Sequence, residues 1–338
     1  MNKNSLIIIN NERISKINNN FYCDNINLKI LPEGLSKYHD IFCILRCSNK
    51  QGNHKINQKN ISVASNIFKF FYFIVKTLKI AEAKYLLISI TPYTFLSFLI
   101  LFLFRKKVFV YLISSGHEEY KFILGTWSVW IYHIMYSVIT TFANVIVLDD
   151  RLSRKKKCHV ITNSTLDNEW FKNQKNALLD KIRFLYVGRV NPEKGIYEFL
   201  QIFEKIKLES EFSIAGNVKN LKFTNSNVKI LGYISEQQSL IDVYDKHNII
   251  VLPSFTEGQP YVVDESLARK RPVIIFDDIE YVVKGRRGIF VSKRNINSFL
   301  ATTKYIMQNY EQIQKNIEKN KFSSKDDMIK QISDIICL

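Results

Sequence analysis

Two carboxylates eight residues apart, Glu257 and Glu265, stand in the segment VLPSFTEGQPYVVDESLARKRPVI, residues 251–274. Their spacing alone says little, because 17 Glu in 338 residues produce about one such pair by chance. Their context says more. An apolar strand over 249–252 runs into a loop bearing Glu257, Pro260 opens a helix that carries Glu265, and a second apolar strand follows at 272–276. A strand–loop–helix–strand unit sets a carboxylate at the carboxyl end of a strand beside a helix N-terminus, where open α/β sheets bind ligands. Upstream, FLYVGRVNPEKGIYEFL, residues 184–200, places two cations between a strand and a helix. Gly188 permits close backbone approach, Arg189 offers a planar fork, and Lys194 supplies a point charge near a helix N-terminus. The bland alternatives are a solvated loop with an ion pair to Glu193, and an exposed helix position for Glu265.

The first segment resembles the E-x7-E element of retaining GT-B glycosyltransferases, the nucleotide-sugar-dependent group often called family 4. The second matches that family's strand–GR–x–x–x–EKG–helix element, in the right order and on matching elements. The resemblance covers roughly residues 180–300 well and the first half loosely. It implies a GT-B fold, with two Rossmann-like domains whose parallel sheets face across a cleft. It also implies transfer of a sugar from a nucleotide-diphosphate sugar to a hydroxyl acceptor, in surface polysaccharide or lipid-linked glycan synthesis. Negative charge develops on the departing diphosphate, and fixed cations or a metal must meet it. By resemblance Arg189 and Lys194 do so. Glu257 faces the transferred sugar, and Gly258, Gln259, Pro260 and Tyr261 line its pocket. Glu265 accepts hydrogen bonds from the ribose hydroxyls, while Gly216 (in SIAGN) and Tyr233–Ile234 (in LGYIS) flank the nucleotide.

His117, in SSGHEEY after a strand, matches the position where the family places a histidine or an acid near the sugar; the alternative is a surface histidine. No D-x-D signature occurs in a suitable loop. Asp149–Asp150 and Asp277–Asp278 each follow a strand and read as caps, so neither a metal nor a resident cofactor is expected. No carboxylate nucleophile is identifiable at the anomeric face, so front-face transfer is expected, with the leaving phosphate helping to deprotonate the acceptor. The family's glycine pair after the first strand is replaced by Asn10-Asn11-Glu12-Arg13, and Gly-Gln-Pro stands at 258–260 where many relatives have Gly-Phe-Gly.

The elements that must position these residues alternate. Strands are expected near 5–9, 40–46, 84–90, 107–113 and 144–148, with helices near 61–79, 92–104 and 122–143. The pattern restarts with strands near 182–187, 211–215, 228–231, 248–252 and 272–276 and helices near 195–207, 236–246 and 260–269. Such alternation argues for parallel sheets with right-handed crossovers, and the restart for two domains. The expected division is 1–170, 171–310 and a helical segment 311–338 that by resemblance packs back on the first domain.

Composition is that of a two-domain globular enzyme, with 46% hydrophobic and 23% charged residues. Five cysteines lack metal spacing; Cys43 and Cys47 read as buried thiols, which suggests a reducing compartment. Ser5–Ile9 is a strand-length run rather than a secretory signal. The longest apolar run, Tyr93–Phe104, has 12 residues, short of the roughly 20 a spanning helix needs. Net charge is +17. Residues 1–180 hold 24 Lys and Arg against 12 Asp and Glu, residues 181–338 hold 24 against 19. The basic excess, with clusters at Arg105–Lys107 and Arg151–Lys157 beside apolar segments, points to an anionic membrane surface or lipid-linked acceptor, and to a cytoplasmic protein peripheral to the inner face of the cell membrane. Two other readings are another GT-B enzyme, such as a nucleotide-sugar epimerase, and a basic nucleic-acid-binding protein. The latter lacks any recognised motif, and the aromatic residues lie in apolar runs rather than basic stripes.

Overall fold

The computed structural model describes residues 4–154, 157–162, 164–218, 226–258 and 260–338. The chain forms two units, residues 1–163 with Lys325–Leu338, and Ser164–Ser324.

The first unit contains β1 (Ser5–Ile17), β2 (Asn20–Cys23), α1 (Asn27–Leu35), β3 (Asp40–Cys47), β4 (His54–Ile56), β5 (Ile61–Ala64), α2 (Ile67–Thr77), β6 (Lys84–Ile88), α3 (Pro92–Leu103), β7 (Lys107–Leu112), α4 (Gly116–Leu124), α5 (Trp127–Phe142), β8 (Asn144–Val147), α6 (Asp150–Ser153) and β9 (His159–Val160). The second contains β10 (Ile182–Val187), α7 (Ile196–Phe203), β11 (Ser210–Ala215), β12 (Val228–Gly232), α8 (Gln237–Lys246), β13 (Ile249–Leu252), α9 (Tyr261–Ala268), β14 (Val273–Phe276), β15 (Ile289–Ser292), α10 (Ile296–Gln308) and α11 (Tyr310–Ile317). The chain ends in α12 (Lys325–Cys337), which belongs to the first unit.

In the second unit six strands run parallel in the order β12-β11-β10-β13-β14-β15. β13 and β14 are buried at every residue, as strands covered on both faces must be. The chain leaves β10 toward β11 and β12, then returns to the other side of β10 as β13. That reversal is a topological switch point, the place where such sheets receive ligands.

In the first unit the parallel core has the order β5-β3-β1-β6-β7-β8-β9, and β2 and β4 extend it antiparallel from the end of β1. One face packs α1 and α12, whose Met328, Ile329, Ile332 and Ile336 are buried. The other face packs α2, α3 and α5. Pro92 and a Thr91–Thr94 capping box start α3, as the proline predicts.

Several elements differ from the sequence-based expectation. β1, expected near 5–9, runs on to Ile17 past a register shift between Ile9 and Arg13, so Asn10–Arg13 lie within the strand at its irregularity. The helix expected over 61–79 is β5 followed by α2, because Asn66 caps the helix by accepting from the Lys69 amide. The helix expected over 122–143 is two helices, divided at Gly125, whose φ of +90° no helix tolerates. His117 therefore lies in the first turn of α4 and not in a loop. The two units divide at 163/164, and the segment 311–338 is shared: Ile313 and Ile317 of α11 enter the second core, α12 the first. Cys43 is buried, which pushes its thiol up to about 12, whereas Cys47 at the strand end is exposed.

Candidate active site

The loops carrying both motifs leave neighbouring strands. β10 pairs with β13 through Phe184–Ile249 and Leu185–Ile250, so Gly188–Lys194 and Ser254–Gly258 emerge side by side at the switch point. Three backbone features hold them there. Gly195 adopts φ +62°, and a Cβ on it would lie 2.1 Å from the Pro253 carbonyl oxygen. The Phe255 amide donates to the Glu193 carbonyl at 3.0 Å. A Cβ on Gly216 would lie 1.9 Å from the Gly188 carbonyl oxygen, so the ends of β10 and β11 meet only through glycine.

Within that frame the Lys194 ammonium lies 2.7 Å from Glu257 Oε1, and the Ser254 hydroxyl donates to the same oxygen at 2.6 Å. The Tyr281 hydroxyl donates to the Glu257 carbonyl at 2.7 Å and accepts from its amide at 2.9 Å, which fixes the backbone under the carboxylate. Lys194 thus pairs with Glu257 and not with Glu193, whose carboxylate accepts from Asn191. The Arg189 side chain is exposed and, among the described residues, its guanidinium has no hydrogen-bond or ion-pair partner; its carbonyl accepts from Tyr186. One cation is therefore bound beside a carboxylate and the other faces solvent.

Glu265 is buried on α9 rather than exposed. Tyr244 of α8 donates to its Oε2 at 2.8 Å, and Thr165 to its Oε1 at 3.3 Å. Burial pushes its carboxyl up to about 7, Tyr244 and Thr165 pull it back, and Asp264 beside it adds to the rise. Tyr244 in turn packs edge-to-face on Trp170, with centroids 5.6 Å apart. Arg269 and Arg271, both buried, surround the same region. Arg269 grips Asp245 through two hydrogen bonds of 2.9 and 2.7 Å, and the pair of arginines binds the carbonyls of Trp170, Lys172, Asn173 and Lys175.

Pro260 caps the start of α9, Tyr261 is its first residue, and Gly258 precedes them half-buried. Gln259 lies outside the described residues. Tyr233 and Ile234 follow β12, the first exposed and the second packed on the core. Asp149 caps α6 by accepting from the Arg151 amide, and Asp278 pairs with Arg294 at 2.7 Å, so each acidic pair serves a strand end.

His117, in the first unit, is buried against Tyr132 and Tyr136, at centroid distances of 4.6 and 5.1 Å. Its Nε2 is 3.2 Å from Nδ1 of His133. Burial, helped by Arg154 and His133, pushes its pKa down to about 4, so the ring is neutral at pH 7.

Sequence reasoning missed Ser254, Tyr281, Tyr244 and Thr165. Ser254 stands three residues before Glu257, a spacing at which a loop hydroxyl can reach a carboxylate. The others come from distant segments and leave no local signal.

The sequence model of the family described as glycosyl transferases group 1 matches residues 181–309. Among curated proteins, the chain is 29% identical over 184 residues to the capsular polysaccharide biosynthesis glycosyltransferase CapM of Staphylococcus aureus, covering 47% of each chain. It is 24% identical over 156 residues to an N,N'-diacetylbacillosaminyl-diphospho-undecaprenol alpha-1,3-N-acetylgalactosaminyltransferase of Campylobacter jejuni, covering 43% of this chain and 41% of that one. The chain spans less than half the length of these relatives in the matched regions. Among solved structures, HepE of Anabaena in complex with UDP superposes with a TM-score of 0.70 at 11% identity, over 98% of this chain and 99% of that one. Sucrose-phosphate synthase of Thermosynechococcus elongatus gives 0.66 at 14% identity, over 98% and 96%. The chain thus has the GT-B fold, and its residues 181–309 match the group 1 glycosyl transferase domain.

Proposed function

We propose that the protein is a retaining, family 4-type glycosyltransferase that moves a sugar, of hexose type, from a nucleotide-diphosphate sugar to a glycan or lipid-linked hydroxyl acceptor. The observation that carries this reading is the Lys194–Glu257 pair, with Arg189 on the same loop, at the switch point of the matched domain. The relatives' names speak of capsular polysaccharide and of a diphospho-undecaprenol acceptor, and a structural neighbour binds UDP. These support a nucleotide-sugar donor and a cell-surface glycan product.

Arg189 and Lys194 meet the diphosphate as its charge develops, a task for which preorganised cations need no reorganisation. Glu257, tethered by Lys194 and Ser254, faces the sugar, with Gly258, Pro260 and Tyr261 beside it; the resemblance assigns Gln259 to the same role. Glu265 holds the ribose, with Gly216, Tyr233 and Ile234 beside the nucleotide; with its carboxyl near neutrality it accepts and donates toward a diol. His117, which the resemblance assigns to the sugar, is neutral at pH 7. The acceptor oxygen bonds to the anomeric carbon on the face the phosphate leaves, the C–O bond to phosphate breaks, and the acceptor proton passes to the departing phosphate oxygen. The two fixed cations supply the positive charge, so catalysis needs no metal.

The test is a thermal-shift panel of nucleoside diphosphates and nucleotide sugars, followed by product analysis with and without a polyprenyl-diphosphate glycan, in buffer and in EDTA. Acceptor-dependent transfer with retained anomeric configuration, unchanged by EDTA, is expected. Conversion of the donor without acceptor indicates an epimerase instead, and absence of any nucleotide binding overturns the reading.

A further inference from the structure

The helices α3 and α5 each carry apolar residues on the side away from the core as well as on the core side, with His133, Ser137 and Thr141 interspersed on the outer side of α5. The inner stripe of α5, through Tyr132, Met135, Tyr136 and Ile139, is buried in the core of the first unit. Its outer stripe, Trp127, Trp130, Ile131 and Ile134, repeats the same three- and four-residue spacing and is exposed, Trp127 by 64% and Trp130 by 69%. Neither helix contains a charged residue. Large apolar residues on both sides of a helix belong in a core or against lipid, and the outer ones here have no partner within the unit.

The exposed stripe is not isolated. α4 packs beside α5 and ends in exposed Phe122, Ile123 and Leu124, while α3 ends in Leu103, 77% exposed. Phe102 of α3 meets Phe142 of α5 with centroids 5.0 Å apart, so the surface runs across the helices without a polar break at that end. Neither α3, with 12 residues, nor α5, with 16, is long enough to span. No helix among the described residues is long and apolar enough to cross a membrane.

The charge around this surface is one-sided. Residues 67–142 hold eight Lys and Arg against three Glu and no Asp. Arg105 and Lys107 are exposed directly after α3, and Lys121 sits among the exposed residues of α4. Basic residues outnumber acidic ones around these tryptophans, with Glu118 and Glu119 in the first turn of α4, and such an excess fits anionic headgroups above acyl chains. The other basic cluster contributes less to this surface, since Arg151 is bound to Asp149 and Lys155–Lys156 lie outside the described residues.

We propose that the outer face of α3, α4 and α5 is a seat for an anionic lipid bilayer, with Trp127 and Trp130 at headgroup depth and Arg105–Lys107 and Lys121 on the phospholipid phosphates. The face lies wholly within the first unit, and the proposal stands whether or not the sugar-transfer reading holds.

The experiment uses the full chain with vesicles of phosphatidylcholine alone, or with one third phosphatidylglycerol, and with brominated acyl chains. The protein has three tryptophans, and Trp170 is buried in the second unit. Bromolipid should quench the fluorescence of Trp127 and Trp130, and only with anionic vesicles at low salt. The variant Trp127→Phe/Trp130→Phe, which keeps Trp170, should still sediment with vesicles but show no quenching. Reversing Arg105, Lys106 and Lys107 to Glu should lower partitioning about a hundredfold or more, since each basic residue near such a surface contributes about 1 kcal/mol, a fivefold step. The proposal is overturned by negligible binding to both vesicle types. Binding without tryptophan quenching, or self-association that shields both tryptophans while lipid has no effect, overturns it equally and assigns the face elsewhere.

Discussion

Lys194 and Glu257 constrain each other, and the pair is the residue-scale centre of the proposed chemistry. With side-chain exposures of 18% and 9%, loss of either charge leaves the other poorly solvated beside the glycine-lined strand ends. Lys194→Ala should lower kcat by about a hundredfold or more, the usual cost of one fixed donor to a developing anion. Glu257→Gln should also reduce transfer, and the double variant should be little worse than the weaker single one, because the residues act as a unit. Strictly additive losses in that cycle would mean they work separately. Glu265 makes a different prediction, through stability. Its carboxyl titrates near 4.5 unfolded and about 7 folded, so the native state holds a proton that the unfolded chain releases between those values. Stability attributable to Glu265 is present below pH 4.5 and falls as pH rises through 7, by roughly 3 kcal/mol. Denaturant titrations at pH 5 and 8 should show that loss in the wild type and much less of it in Glu265→Gln. Equal pH dependence in both would remove Glu265 as its source.

At the scale of elements, the second unit is tied together by side chains rather than by strand pairing alone. Asp245 at the end of α8 holds Arg269 at the end of α9, and the two arginines collect the carbonyls of residues 170–175. The result orients the same two helices whose Tyr244 and Glu265 meet. Asp245→Ala leaves the buried Arg269 and Arg271 charges without their carboxylate and should cost about 3–5 kcal/mol. Hydrogen exchange at β13 and β14 should report that loss while exchange in β6 and β7 stays unchanged. A change confined to residues 170–175 would instead mean that the cluster anchors only that segment.

For the whole molecule, the last helix decides whether the first unit can exist. Met328, Ile329, Ile332 and Ile336 of α12 are each 1% exposed or less in its core. Full burial of such side chains contributes about 1.5–3 kcal/mol apiece, so four of them rival the 5–15 kcal/mol of a typical domain. Ending the chain at Ser324 should therefore leave the first unit without cooperative unfolding, read by near-UV circular dichroism and dye binding. A truncated chain that retained the first unit's native exchange protection would refute this. The same unit carries the net basic excess and the bare apolar face.

Local pattern was enough to show alternation, because strand and helix periods differ and the runs here are long; β13, β14, β10 and α3 stand within a residue or two of where periodicity places them. The two motifs were legible for the same reason, being contiguous and framed by those runs. Where one residue redirects the backbone the pattern misled: Gly125 divides one apolar stretch into α4 and α5, and Asn66 turns a strand into a helix start. Burial was decided only by tertiary packing. Nothing in the spacing of VVDESLA tells that Glu265 lies under Tyr244 and Thr165, since those contacts join residues 21 and 100 positions away. Strand order made the site, because β10 and β13 are neighbours only once β11 and β12 have crossed to the other side. And α5 carries large apolar residues on both its sides and no Asp, Glu, Lys or Arg, so only the sheet it packs on determines which half is core and which half faces out.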